Sequence, residues 1–231
     1  MWPNQLGLRF GLDDNKIFLL ERYLSLLHSV REINITAVKE KPKIVDVLFY
    51  ESLILLDIPD LLEAGNAADV GSGAGIPGIP LAITRPDLYL TLIESNRKKA
   101  CFILKAIRSL GLKNATVFEG RAEDAARSVM RDYFDVSVAR AVAPLVATIE
   151  YSLPLVRSGG HAFLLRGKKK PEDIERAHQA AQVLNGSFER IAGTDPQNRA
   201  GALHVWSIKK DGPTPPRFPR KSGMAIKRPL A

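Results

Sequence analysis

Residues Asp69-Val70-Gly71-Ser72-Gly73-Ala74-Gly75-Ile76-Pro77-Gly78-Ile79-Pro80-Leu81-Ala82-Ile83 put an acid at the end of an apolar strand and three alternating glycines ahead of an apolar helical run. Glycine lacks a Cβ and takes positive φ without strain. The stretch therefore predicts a sharp strand-to-helix turn whose backbone NH groups press against a nucleotide-like ligand. Pro77 and Pro80 suit the first turn of the helix, where a missing NH is not needed.

From Ala67 onward, strand-like and helix-like segments alternate, the pattern of a parallel sheet covered by crossover helices. Strands are expected at 67–70, 90–94, 116–119, 134–139 and 160–165. Ala100, Ile103, Leu104, Ile107 and Leu110 repeat at helical spacing and Gly111 follows them, so a helix is expected over 97–110. Ser187–Ile191 and Ala202–Lys209 both read as strands. Residues 192–201 between them hold Gly193, Pro196 and Gly201 and no helical stripe, so this pair is expected to be antiparallel. A parallel sheet closed by an antiparallel hairpin is the arrangement of methyltransferases that use S-adenosylmethionine. A dinucleotide-binding domain more often continues with parallel strands.

The rest of the chain frames this domain. Ile17, Leu20, Leu24 and Leu27, then Val45, Leu48, Phe49, Ser52, Leu53 and Leu56, form helical stripes, so residues 1–66 read as a helical cap. Residues 67–210 form the main domain and 211–231 a basic tail. The 231 residues are 45% hydrophobic, too apolar for disorder and long enough for one α/β domain with extensions. No apolar run approaches a membrane span and no export signal opens the chain, so a cytoplasmic protein without membrane contact is expected. A single cysteine, Cys101, excludes an internal disulfide and reads as a core residue. His28, His161, His178 and His204 offer no metal-ligand spacing, so no metal is expected. The net charge is +8. Residues 209–231 carry seven Lys and Arg against Asp211 alone, which suits a polyanionic partner or a solvated tail.

The glycine turn by itself leaves the cofactor open, because Gly73, Gly75 and Gly78 also satisfy the dinucleotide pattern G-x-G-x-x-G. Asp69 and the terminal hairpin tilt the balance to S-adenosylmethionine. Its amino-acid end can be met by close backbone approach and a nearby carboxylate; Asp69 alternatively braces the turn. Glu94 closes the second strand, where this architecture presents an acid to ribose hydroxyls. Gly73, Gly75 and Glu94 are therefore cofactor candidates.

The chain resembles the glucose-inhibited division protein B family, methyltransferases that form 7-methylguanosine in small-subunit ribosomal RNA. The resemblance rests on Asn34-Ile35-Thr36-Ala37-Val38, the Asp69–Pro80 motif, Glu94-Ser95 with Lys98, Lys99 and Phe102, Arg121-Ala122-Glu123, Arg140-Ala141-Val142-Ala143, and Pro219-Arg220-Lys221-Ser222-Gly223. Glu51-Ser52 stands where Asp-Ser is usual, Glu94 where Asp is, and Arg166-Gly167 where Lys-Gly is. The resemblance implies an α/β, class I S-adenosylmethionine methyltransferase Rossmann-like fold. Its sheet would be seven-stranded and mostly parallel, with a C-terminal antiparallel hairpin and the N-terminal helical cap. It implies methyl transfer from S-adenosyl-L-methionine to N7 of a guanine in 16S rRNA, within the RNA or a small-subunit particle; a monomer is expected. It also implies that Gly71, Ile76, Ala122, Glu123 and Arg140 contact the cofactor.

Guanine N7 has an in-plane lone pair and no proton, so placement without a general base suffices and no catalytic residue is expected. The segment after the fourth strand, Ala139 to Pro144, lacks the Asn/Asp-Pro-Pro-aromatic motif suited to amine targets. Cys101 is wrongly placed for attack on a pyrimidine. RNA phosphates are expected to meet Lys98, Lys99, Arg140, Arg166, Lys168, Lys169, Lys170 and Arg199, with Arg220 and Lys221 from the tail. Phe218 is a candidate for base stacking, whereas Trp206 reads as core. Removal of residues 212–231 is expected to weaken RNA binding and spare cofactor binding. A noncatalytic RNA-binding protein on this fold and an NAD-dependent oxidoreductase are the alternatives.

Overall fold

The computed structural model describes residues 2–29, 40–167, 170–191 and 203–231. Seven strands form one sheet in the order β3-β2-β1-β4-β5-β7-β6. They are β1 (Asn66–Val70), β2 (Tyr89–Glu94), β3 (Ala115–Glu119), β4 (Phe134–Arg140), β5 (Val156–Arg166), β6 (Gly186–Ile191) and β7 (His204–Lys210). The first five run parallel, and β7 lies antiparallel between β5 and β6. β1 lies between β2 and β4, so the strand order reverses there. In open α/β sheets the crevice beyond such a reversal is where ligands bind.

Helices cover both faces. In front of the sheet α1 (Trp2–Phe10) and α2 (Asp14–Ser29) lead to short helical turns. These are α3 (Lys41–Lys43), a π-helical segment Ile44–Phe49, α4 (Tyr50–Leu53), a 3-10 turn Ile54–Asp57 and α5 (Pro59–Glu63). Leu20, Tyr23, Phe49 and Leu53 of this cap share one apolar core with Ile79, Leu92, Ile103 and Phe163 of the main domain. α6 (Gly78–Thr84) and α7 (Arg97–Leu110) lie on the same face. The α7 helix matches its sequence expectation at both ends. The Asn96 side chain accepts from the amides of Lys98 and Lys99 at 3.0 and 3.2 Å, and Gly111 leaves the helix at φ +68°. Cys101 is exposed on α7, not buried as expected, because the buried stripe runs through its neighbours Ala100, Phe102 and Ile103.

The second face is covered by α8 (Ala122–Ala125), α9 (Leu145–Ser152) and α10 (Pro171–Val183). α9 is buried along its whole length, and α10 packs through Ala177, Ala180 and Ala181. Trp206 is 2% exposed in this core. β5 starts earlier than the pattern predicts because its pairing with β4 shifts register between Phe134 and Val136.

The basic tail is packed against the body. Phe218 is 4% exposed in the second core, so it is not available for base stacking. At the tail's root the Lys210 ammonium, fully buried, donates to Asp132 Oδ1 at 2.8 Å and to the Leu153 carbonyl at 2.9 Å. Burial raises the Asp132 carboxyl, but Lys210 and Thr214 outweigh it and hold Asp132 below its ordinary value. Burial pulls Lys210 down, and Asp132 offsets this only in part. Such a pair adds little net stability and costs much when broken. Asp132→Asn keeps a side chain that tolerates the positive φ of 49° and removes the charge. It is expected to cost about 3 kcal/mol in urea unfolding at neutral pH. The wild-type contribution is present above the ordinary Asp range and disappears as pH falls through the depressed Asp132 value.

Candidate cofactor cleft

A cleft of about 270 Å³ opens at the carboxyl ends of β1, β2 and β3. Val70 and Gly71 form its floor, with Ile93 and Ser95 at the end of β2. Gly120, Arg121, Ala122 and Glu123 close the β3 side, and Val142, Ala143 and Tyr151 the β4 side. Ile226, from α11 (Met224–Lys227) in the tail, completes the lining.

The glycine turn is tight because its residues leave no room for anything larger. Gly71 sits at φ +68°, and a Cβ there would lie 2.7 Å from Val142 Cγ1. The direction of its amides differs from the sequence expectation. Gly71 and Ser72 donate to the Ile93 carbonyl at 2.9 and 3.1 Å, and Gly75 and Ile76 to Ser72 at 2.7 and 3.0 Å. Gly73 donates to Glu94 Oε2 at 2.8 Å. These NH groups are spent inside the protein, so a ligand meets the bare Cα surface of the turn. A dinucleotide pyrophosphate needs free amides at this helix start. The turn therefore disfavours the NAD alternative.

Asp69 explains where the helix amide goes. Its Oδ2 accepts from Gly78 N at 3.0 Å, and its side chain is fully buried. A Cβ on Gly78 would lie 2.6 Å from that oxygen. Asp69 Oδ1 has no hydrogen-bond partner, and burial pushes the carboxyl up to about 7, against the Gly78 bond. The nearby Tyr23 hydroxyl donates to the Ala74 carbonyl at 2.5 Å, pinning the turn to the cap. Burial, then the Asp69 charge, push this phenol well above its usual range. Asp69 thus braces the turn from behind.

Glu94 is 7% exposed and stands between lining residues Ile93 and Ser95. Its Oε1 accepts from Asn96 N at 2.7 Å, while Oε2 holds Gly73. A carboxylate has about four acceptor sites, so two remain for hydroxyls. Glu123 is 4% exposed, and its Oε1 accepts from Gly223 N of the tail at 3.1 Å.

The structure separates the expected site residues. Gly71, Ala122 and Glu123 line the cleft; Gly73 and Glu94, bonded to each other, are not among its lining residues, although Glu94 is flanked in sequence by Ile93 and Ser95, which are. Gly75, Ile76 and Arg140 do not line it. Arg140 ends β4 and donates through Nε to Glu51 Oε2 of the cap at 2.6 Å, a partly buried ion pair. Beyond it Ala141 takes φ +52°, a strained value for a non-glycine residue; Val142, which follows, packs against Gly71, and Ala143 lines the cleft.

Several residues expected on RNA are spoken for. Arg220, expected at a phosphate, instead grips buried Glu150 with its fork, at 2.8 and 2.6 Å. Arg166 is partly buried and donates to Thr148 Oγ1. Its Nε has no partner, and burial alone pulls the guanidinium down to about 10. Lys98, Lys170 and Lys221 are exposed and Lys99 partly so. Lys168, Lys169, Arg199 and the 34–38 motif lie outside the described residues. Val70, Ile93, Ser95, Gly120, Val142, Ala143, Tyr151 and Ile226 were missed as lining residues. Tyr151, between Glu150 and Ser152, and Ile226, ahead of Lys227 and Arg228, carry no local signal of a cleft position. Among the described residues no cluster of His, Cys, Asp or Glu has metal-binding geometry. None of their helices is long and apolar enough to cross a membrane.

Comparison with known proteins gives a family as well as a fold. The GidB family model, described as rRNA small subunit methyltransferase G, matches residues 16–200. A relative from Carboxydothermus hydrogenoformans, named ribosomal RNA small subunit methyltransferase G, is 38% identical over 225 residues. The match covers 96% of this chain and 95% of that one. A protein of the same name from Moorella thermoacetica is 35% identical over 221 residues, covering 95% and 92%. Among solved structures, cofactor-bound Rv0187 from MTB superposes with a TM-score of 0.56 at 16% identity, over 90% of this chain and 94% of that one. A putative S-adenosyl-L-methionine-dependent methyltransferase from Methanococcus maripaludis gives 0.56 at 18% identity, over 71% and 85%. These two likenesses speak to the class I methyltransferase fold alone.

A carboxyl raised on folding is favourable at low pH, and its contribution is lost as pH rises toward the folded value. Asp69 should therefore lower stability progressively from about pH 4 to about pH 7, by on the order of 4 kcal/mol. Asp69→Asn keeps an oxygen for Gly78 N and has no proton to lose. Its denaturant midpoint is expected to lack that decline.

Proposed function

The chain belongs to the rRNA small subunit methyltransferase G (GidB) family, and from that premise we propose that it transfers the methyl group of S-adenosyl-L-methionine to N7 of a guanine in 16S rRNA. The observation that carries the cofactor half is the turn itself. Its amides are turned inward, bare glycine faces the cleft, and a buried carboxylate, Glu94, keeps acceptor capacity at the end of β2. An acceptor with no free backbone donors beside it fits a nucleoside with vicinal hydroxyls and no pyrophosphate.

When bound, S-adenosylmethionine supplies an electrophilic methyl group on a sulfonium. The protein's part is positional. Glu94 accepts from ribose hydroxyls, Gly71 and Gly73 allow close approach, and Ala122 and Glu123 border the base. Val142 and Ala143, fixed by the strained Ala141, bound the side from which a target enters. N7 needs no proton removed, so orientation and water exclusion are the contributions asked of these residues. Arg140, locked to Glu51, ties the end of β4 to the cap.

The RNA is drawn by exposed cations, Lys98 at the start of α7 and Lys221, Lys227 and Arg228 on the tail. Residues 1–66, 67–210 and 211–231 act as cap, methyltransferase domain and basic tail. The protein works in the cytoplasm, where ribosomal particles are assembled, and as a monomer. In support, exposed large apolar side chains among the described residues, such as Leu8, Leu62 and Tyr89, sit on separate elements, α1, α5 and β2.

Labelled-methyl transfer to small-subunit particles from a strain lacking the enzyme tests the reading. Label is expected in 16S rRNA as 7-methylguanosine, and label in any other nucleoside refutes the N7 assignment. Glu94→Ala removes charge-assisted hydrogen bonds and is expected to weaken S-adenosylmethionine binding by roughly 10- to 100-fold in calorimetry, with RNA affinity unchanged.

A further inference from the structure

We infer that the C-terminal segment is a structural wall of the cofactor cleft and that Ile226 packs against the adenine of the bound nucleoside. This rests on the S-adenosylmethionine reading above.

Ile226 stands apart from the other apolar side chains of the tail. Phe218 and Ala225 are buried in the second core, at 4% and 2% exposure, whereas Ile226 is 49% exposed and lines the cleft. A large branched aliphatic group left half in water beside a concave, largely apolar slot is an incomplete contact. The missing surface is that of a flat apolar ligand.

The segment that carries Ile226 is held in place by the body. Arg131 donates to the carbonyls of Thr214 at 2.7 Å and Phe218 at 2.5 Å, and Arg127 to those of Pro219 and Arg220 at 3.1 and 2.6 Å. The Arg220 fork on Glu150 follows. Then Gly223 N reaches Glu123, itself a lining residue. One buried carboxylate thus belongs to the cleft and to the tail at once. Ala122 and Glu123 open α8 just after β3, the side assigned above to the base, which makes adenine the part of the cofactor that Ile226 meets.

This reverses the expectation that loss of residues 212–231 spares cofactor binding. Deletion would also expose the second core and strand Glu150 without its guanidinium, so the decisive variants are point changes at the half-exposed side chain. Ile226→Ala is expected to raise the Kd for S-adenosylmethionine about 5-fold and Ile226→Asp about 10-fold or more. The same ratio is expected for S-adenosylhomocysteine and adenosine, with thermal midpoints of the ligand-free variants unchanged. If wild type binds these ligands and both variants match it, the wall is refuted and the methyltransferase reading stands. If wild type does not bind S-adenosylmethionine, both fail. An equal drop in ligand-free thermal midpoint would reassign Ile226 to folding and overturn the inference.

Discussion

The hydrogen bond from Gly78 N to the buried carboxylate of Asp69 sets the geometry on which the site depends. It ties the end of β1 to the start of α6 and consumes the helix amide that a phosphate would otherwise claim. Because the donor residue has no side chain, strand and helix close to a distance that a single added carbon would forbid. Gly73 N on Glu94 and Tyr23 on Ala74 then fix the rest of the turn from the second strand and from the cap. A site for a nucleoside without pyrophosphate follows from how these donors are spent more than from how many glycines there are.

Paired charges in or near the interior join the parts of the chain. Glu51 with Arg140 links cap to sheet, Asp132 with Lys210 anchors the root of the tail, and Glu150 with Arg220 holds its middle. Pairs of this kind give geometry more than net stability. They also draw down the basic excess, since Lys210 and Arg220 are occupied internally. What remains for a polyanion on the tail includes Lys221, Lys227 and Arg228, all exposed.

Local pattern carried much of the fold. The α7 stripe with Gly111 behind it and the glycine turn each encode their conformation within a few residues. The place of Ala122 and Glu123 at the cleft was legible because the segments that follow strand ends in this architecture face the crevice. What the sequence could not express was which way groups turn and which distant partner they find. The inward direction of the turn's amides depends on Ile93 and Glu94, a strand away. The pairing of Arg140 spans 89 residues and that of Arg220 spans 70. Phe218 looked free in a proline-rich basic stretch, yet the body supplies a core for it. Cys101 erred the other way, one position off the buried stripe of its helix.

The return of the tail to the cleft has a consequence for how the molecule comes into being. The sheet is complete at Lys210, but Gly223 and Ile226 are synthesised after it. A nascent chain that ends at 210 has a sheet and a glycine turn, with one side of the cleft still open and Glu150 bare. The last wall of the cleft is therefore supplied only once the tail has been translated.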